Sequence, residues 1–81
     1  MIFRTEDGTV LKADTAEGIV HQLHQLSLAP AKDDFEWMEQ TAQRAWELTG
    51  QSVRWGTAAE FLVDMTAARL LSEGKKEANN G

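Results

Sequence analysis

His21 and His24 stand three residues apart, and Glu17 precedes His21 by four. On a helix those offsets bring two imidazoles and a carboxylate close to one row. Imidazole nitrogen and carboxylate oxygen are donors for zinc or nickel. The row offers three donors and no fourth, and no HExxH pattern accompanies it. The chain contains no cysteine to complete a set. A solvated polar helix face accounts for the same three residues, so neither a metal nor another cofactor is expected.

Paired carboxylates, the other common tool of catalysis, occur at Asp33 and Asp34, Glu36 and Glu39, and Glu60 and Asp64. All fall at helix starts or on helix faces, where capping and solvation explain them. No serine–histidine–aspartate arrangement can be placed, there is no glycine-rich phosphate loop, and the chain has no tyrosine. At 81 residues it has little room for a pocket of ~300 Å³ beside a core. An enzyme is not expected.

Three tryptophans carry more information. A stripe of Phe35, Met38, Ala42, Ala45, Trp46 and Thr49 is the expected inner face of one helix, which makes Trp46 a core residue. Trp37 lies off that stripe, near Arg44, with Leu48 on the same flank. Two readings follow for Trp37: a lid folded over its own helix or over the Leu28–Pro30 loop, or, with Arg44 and Leu48, a contact surface for a protein partner. Exposed aromatics concentrate at such surfaces. Arg54 and Trp55, together with Arg4 and Lys12, suggest a different use, because basic residues interleaved with aromatics on a sheet hold single-stranded nucleic acid. Ordinary solubilising charge on an edge strand accounts for the same residues. Eight Lys and Arg against thirteen Asp and Glu leave a net charge of −5, the opposite of a duplex-binding balance.

The elements that must position these residues can be read in order. Residues 1–13 form a β-hairpin about Glu6-Asp7-Gly8. A two-residue turn would place Phe3 opposite Lys12 and mix both faces. A three-residue turn with a left-handed Gly8 places Phe3 opposite Leu11 and Thr5 opposite Thr9. The second register is preferred, since it gathers Met1, Phe3, Leu11 and Ala13 on one face. Ile2, Arg4, Val10 and Lys12 remain on the other, which is half apolar. The first helix starts with Asp14 as cap and Glu17 three residues on, with Thr15 as the alternative cap one residue later, and carries Ala16, Ile19, Val20, Leu23 and Leu26 on its inner stripe. It ends before Pro30. The second runs from about Asp34 to Thr49, with Asp33 as cap and Gly50 as stop.

Gln51 to Trp55 alternates weakly and is read as a third strand beside the hairpin, with an unpaired extended connection as the alternative. The last helix opens on a capping box, Thr57 with Glu60, and continues to Gly74. Phe61, Leu62, Met65 and Ala68 share one face, and Ala59, Val63, Ala67 and Leu70 the opposite one. A helix apolar on both sides is normally covered on both, so it is expected at the centre of the fold. Residues 75–81 are polar and rich in Gly and Asn, and are expected to fray.

The resulting expectation is one α+β domain over residues 1–74, in the order β-β-α-α-β-α, with a small antiparallel sheet packed on three helices. An apolar fraction of 42% and a charged fraction of 26% are those of an ordinary globular chain. The absence of cysteine fits a reducing compartment. MIFRTEDG turns polar too soon for a signal peptide, and no apolar run is long enough to span a bilayer. A cytoplasmic location is expected. Size and lack of motifs give the look of small bacterial or mobile-element proteins, which carries no function. The functional expectation is a non-enzymatic module that binds a protein partner or a second copy of itself. Its contact candidates are Trp37, Arg44, Leu48, Ile2 and Val10. The alternative is weak nucleic-acid binding through Arg4, Lys12, Arg54 and Trp55.

Overall fold

A computed structural model describes residues 1–74; the expected tail lies outside them. The hairpin pairs Ile2–Thr5 (β1) with Val10–Lys12 (β2), antiparallel, with Phe3 opposite Leu11. The turn is the three-residue form. The Gly8 N–H donates to the Thr5 carbonyl (3.0 Å), and the Thr5 N–H to the Thr9 carbonyl (2.9 Å). Gly8 takes φ +93°, a conformation open to glycine at no steric cost. The Asp7 carboxylate accepts from the hydroxyls of Thr5 and Thr9 and from the Thr9 N–H. These bonds, the one from Thr5 foremost, hold its carboxyl below the ordinary value of 3.8.

Helix α1, Ala16–Leu26, is capped by Thr15, whose hydroxyl accepts from the Gly18 N–H. The cap is thus Thr15, the alternative, and not Asp14, so the helix starts one residue later than expected. Ala16, Ile19, Val20 and Leu23 are buried, while Leu26 stands exposed at the end of the stripe. Helix α2, Asp34–Thr49, begins at Asp33, whose side chain accepts from the Glu36 N–H (2.8 Å), and stops at left-handed Gly50.

The rotation of α2 differs from expectation. Trp37, Met38, Ala42 and Ala45 are buried, and Trp37 retains only 5% exposure. Phe35 and Trp46, expected inside, are 53% and 54% exposed. At 100° per residue the buried stripe is turned by about 45° from the one read in the sequence. The cause lies on the neighbouring helices. The Trp37 ring stacks on His24 of α1 (centroids 5.9 Å apart, planes at 16°) and meets Phe61 edge-on (5.7 Å, 64°). Such ring pairs stabilise beyond the area they bury, and no pattern within α2 reveals them.

Helix α3, Ala58–Ala67, opens with Thr57 accepting from the Glu60 N–H, as the capping box implies. It does not reach Gly74. The Leu70 N–H donates to the Met65 carbonyl and the Arg69 N–H to the Thr66 carbonyl, with Arg69 at φ 63°. This is the Schellman pattern, in which a left-handed residue just past the helix closes its last carbonyls. Here that residue is arginine rather than glycine, which hides the stop from sequence inspection. The chain then runs as β3, Leu71–Glu73, antiparallel to β1, with Thr5 opposite Leu71 and Phe3 opposite Glu73. Gly74 serves the sheet instead of capping the helix. Its N–H donates to the Ile2 carbonyl (2.7 Å), and a Cβ there would fall 2.6 Å from Ile2 Cγ2.

The fold is α+β as expected, a three-stranded antiparallel sheet with three helices, in sheet order β2-β1-β3. The third strand is Leu71–Glu73, however, so the elements run β-β-α-α-α-β. Gln51 to Trp55 belongs to no strand and forms the extended connection from α2 to α3. Helix α1 lies against β2 and α3 against β3, while α2 packs across α1 and α3. Phe61, Ile19 and Val20 sit fully enclosed.

The expectation that the last helix is covered on every side is also corrected. Phe61, Leu62 and Met65 are buried, but Ala59, Val63 and Ala67 face solvent, with Val63 61% exposed. Leu70 lies past the helix and is half-buried against the core. Among the described residues no helix is long and apolar enough to cross a membrane.

Candidate functional site: a cleft between two tryptophans

The extended connection after α2 is fixed at two points. Val53 is buried in the core. Arg54, next along, turns to α3. Its backbone N–H and its Nε–H both donate to Asp64 Oδ2 (2.9 Å each), and an Nη2–H donates to Oδ1 (3.0 Å). A further Nη1 contact reaches Glu60 Oε2 at 3.4 Å. The side-chain hydrogen bonds from Arg54 hold the Asp64 carboxyl below its ordinary 3.8, and the same pair raises the guanidinium. Alternate residues of an extended chain point to opposite sides. With Arg54 drawn onto α3, Trp55 falls on the side of Val53, toward α2.

Opposite it, the edge of α2 presents Glu39, Ala42, Gln43 and Trp46, and with Ser52, Val53 and Trp55 these line a cleft of about 280 Å³. Buried Ala42 and Val53 contribute apolar surface, and Trp46 and Trp55 are half-exposed indoles. Ser52, Gln43 and Glu39 supply a hydroxyl, an amide and a carboxylate. Such a cleft can stack a planar or cationic group on indole faces while offering oxygen acceptors beside it. The sequence held a signal for it. A left-handed Gly50 four residues after Trp46 reverses the chain, so that Trp55 returns alongside the helix it has just left.

The other candidate residues are dispersed. Trp37 is a core residue, so the surface it was to form with Arg44 and Leu48 does not exist in that shape. Arg44 leans on Thr41 (Nη2 to Oγ1, 3.3 Å), and Leu48 stands exposed in the last turn of α2. Ile2 is half-buried against Gly74, while Val10 is exposed on the outer face of the sheet. Arg4 and Lys12 lie on that same face by register. Arg54 and Trp55 do not join them there, because residues 51–55 are outside the sheet and the Arg54 guanidinium is engaged by α3.

His21 and His24 converge on a carboxylate the sequence reading did not assign to them. Nδ1 of His24 is 2.7 Å from Asp34 Oδ1, and Nδ1 of His21 is 3.0 Å from Oδ2. A carboxylate only accepts, so both rings carry their proton on Nδ1. Burial pushes the Asp34 carboxyl up, and the bonds from His24 and His21 outweigh it, leaving the group below 3.8. The trio ties α1 to the first turn of α2 and places His24 over Trp37. Among the described residues no group of three His, Cys, Asp or Glu side chains is placed to hold a metal ion.

The Arg54–Asp64 clamp makes a pH-dependent prediction. A carboxyl held low in the folded state contributes stability above its unfolded value near 3.8, and loses it as pH falls through the folded value. Asp64→Asn is therefore expected to melt below the wild type at neutral pH. The deficit should be no more than about 5 °C, since the pair is solvent-screened. The two curves should converge in acid. Thermal melts across pH 2–7 check this, and a constant gap over the whole range would refute it.

No family model, curated protein or solved structure matches the chain.

Proposed function

We propose that this protein works by binding another protein, without chemistry of its own, through the face that carries the Trp46–Trp55 cleft. The observation that carries this reading is two half-exposed tryptophans lining one largely apolar cleft. Tryptophan is the residue most enriched at interface hot spots, and hot-spot side chains meet pockets on the partner. The cleft is also preorganised. The Val53 anchor and the Arg54–Asp64 clamp hold the backbone on which Trp55 sits, which lowers the entropy lost on binding. Nucleic-acid binding has less support, because Arg54 spends its guanidinium on Asp64 and Glu60, away from Arg4 and Lys12.

The test compares immobilised wild type with a Trp46→Ala, Trp55→Ala double variant of unchanged circular dichroism. A partner retained by the wild type and reduced at least about tenfold on the double variant supports the reading. Equal retention on both would remove it. Light scattering over a concentration series identifies the case in which the partner is a second copy of the chain.

A further inference from the structure

Taking the cleft as the binding face just proposed, we infer that its occupant is the guanidinium of an arginine side chain presented by the partner protein. Three features of the site converge on that chemistry. Two indoles border the space, and an arginine plane stacks on indole better than on any other side chain. The charged residue lining the cleft is Glu39, an acid. A carboxylate can accept two parallel N–H bonds from a guanidinium, a geometry that an ammonium cannot match. Gln43 and Ser52 supply further oxygens for the remaining donors.

The two arginines nearest the cleft in sequence, Arg44 and Arg54, are engaged elsewhere. Arg54 faces α3 and is bound there by Asp64, and Arg44 lies on the flank of α2 beside Thr41. The net charge of −5 favours approach of a basic partner at low ionic strength. An aliphatic or aromatic side chain would meet only the apolar part of the cleft and make no use of the Glu39 carboxylate, which stands exposed at its rim. Arginine satisfies both parts, because its methylene stem is apolar and its head is charged.

The experiment uses the full chain, labelled with ¹⁵N, and follows the three indole Nε1–H signals during titration. The probes are an acetylated, amidated Gly-Arg-Gly tripeptide and the same tripeptide with citrulline, the neutral isostere of arginine. The arginine peptide is expected to move the Trp46 and Trp55 signals while the buried Trp37 signal stays still. The citrulline peptide should bind at least about fivefold more weakly. Glu39→Gln should weaken the arginine peptide about fivefold and leave the citrulline peptide unchanged. Equal affinity of the two peptides at these indoles overturns the arginine assignment and leaves the cleft as a neutral contact surface. An arginine peptide that moves neither indole, or that is indifferent to Glu39→Gln, overturns it as well. The broader reading stands or falls separately, on the double-tryptophan variant.

Discussion

Trp37→Ala is expected to lower stability by about 3–5 kcal/mol, enough to unfold much of a domain whose whole stability is about 5–10 kcal/mol. The indole is almost fully enclosed and joins α1 through His24 to α3 through Phe61. Removing it opens a cavity where all three helices meet. Trp46→Ala, on the same helix, should cost under about 1.5 kcal/mol, because half of that ring already faces water. Trp37→Phe should lose less than half as much as the alanine variant. It keeps a ring between His24 and Phe61, and it deletes the Nε1–H, a buried donor with no partner among the described residues. Urea midpoints of the three variants check the ordering. Equal losses for Trp37→Ala and Trp46→Ala would mean that α2 turns its other stripe inward.

The second large effect concerns the end of the chain. Leu71→Ala should cost about 2–4 kcal/mol, since Leu71 belongs to β3 and is buried beneath the sheet opposite Thr5. Val63→Ala should stay within about 0.5 kcal/mol, because that side chain is largely solvated and alanine is the better helix former. Amide exchange adds a sharper readout. The Gly74 N–H, bonded to the Ile2 carbonyl, should be protected in the wild type and lose protection in Leu71→Ala. A continuous helix from Thr57 to Gly74 would give another outcome, in which Val63 matters and Gly74 exchanges freely.

These two predictions fall where reading the sequence and seeing the structure part company. The hairpin register was legible because a period of two and a buried face leave one arrangement that hides Phe3 and Leu11 together. The helix starts were legible too, at Asp33 and Thr57, because a capping side chain acts on an N–H only three residues away. Both are short-range effects, complete within one stretch of chain.

The cleft was legible only in pieces. Trp46, Gly50 and Trp55 are all visible, but the face Trp46 shows depends on which stripe α2 buries. Helix α2 has aromatics on both edges of its apolar surface, Phe35 and Trp46 on one and Trp37 on the other, and hydrophobicity alone does not choose between them. The choice comes from ring partners on α1 and α3, some thirteen and twenty-four residues away in sequence. Likewise Asp34 reads as a first-turn acid until α1 places two imidazoles on it.

The sequence by itself determined the class of the fold, the hairpin, two of the three helix starts and the net negative charge, since each depends on local periodicity, capping or composition. Tertiary structure alone decided that the last helix is capped at Ala68 and the chain returns as a strand, that α2 buries Trp37, and that Trp46 and Trp55 line one cleft. The physical reason is that these outcomes compare packing options between distant segments. A strand finds its partner across the whole length of the chain, and an aromatic edge is settled by the rings it meets.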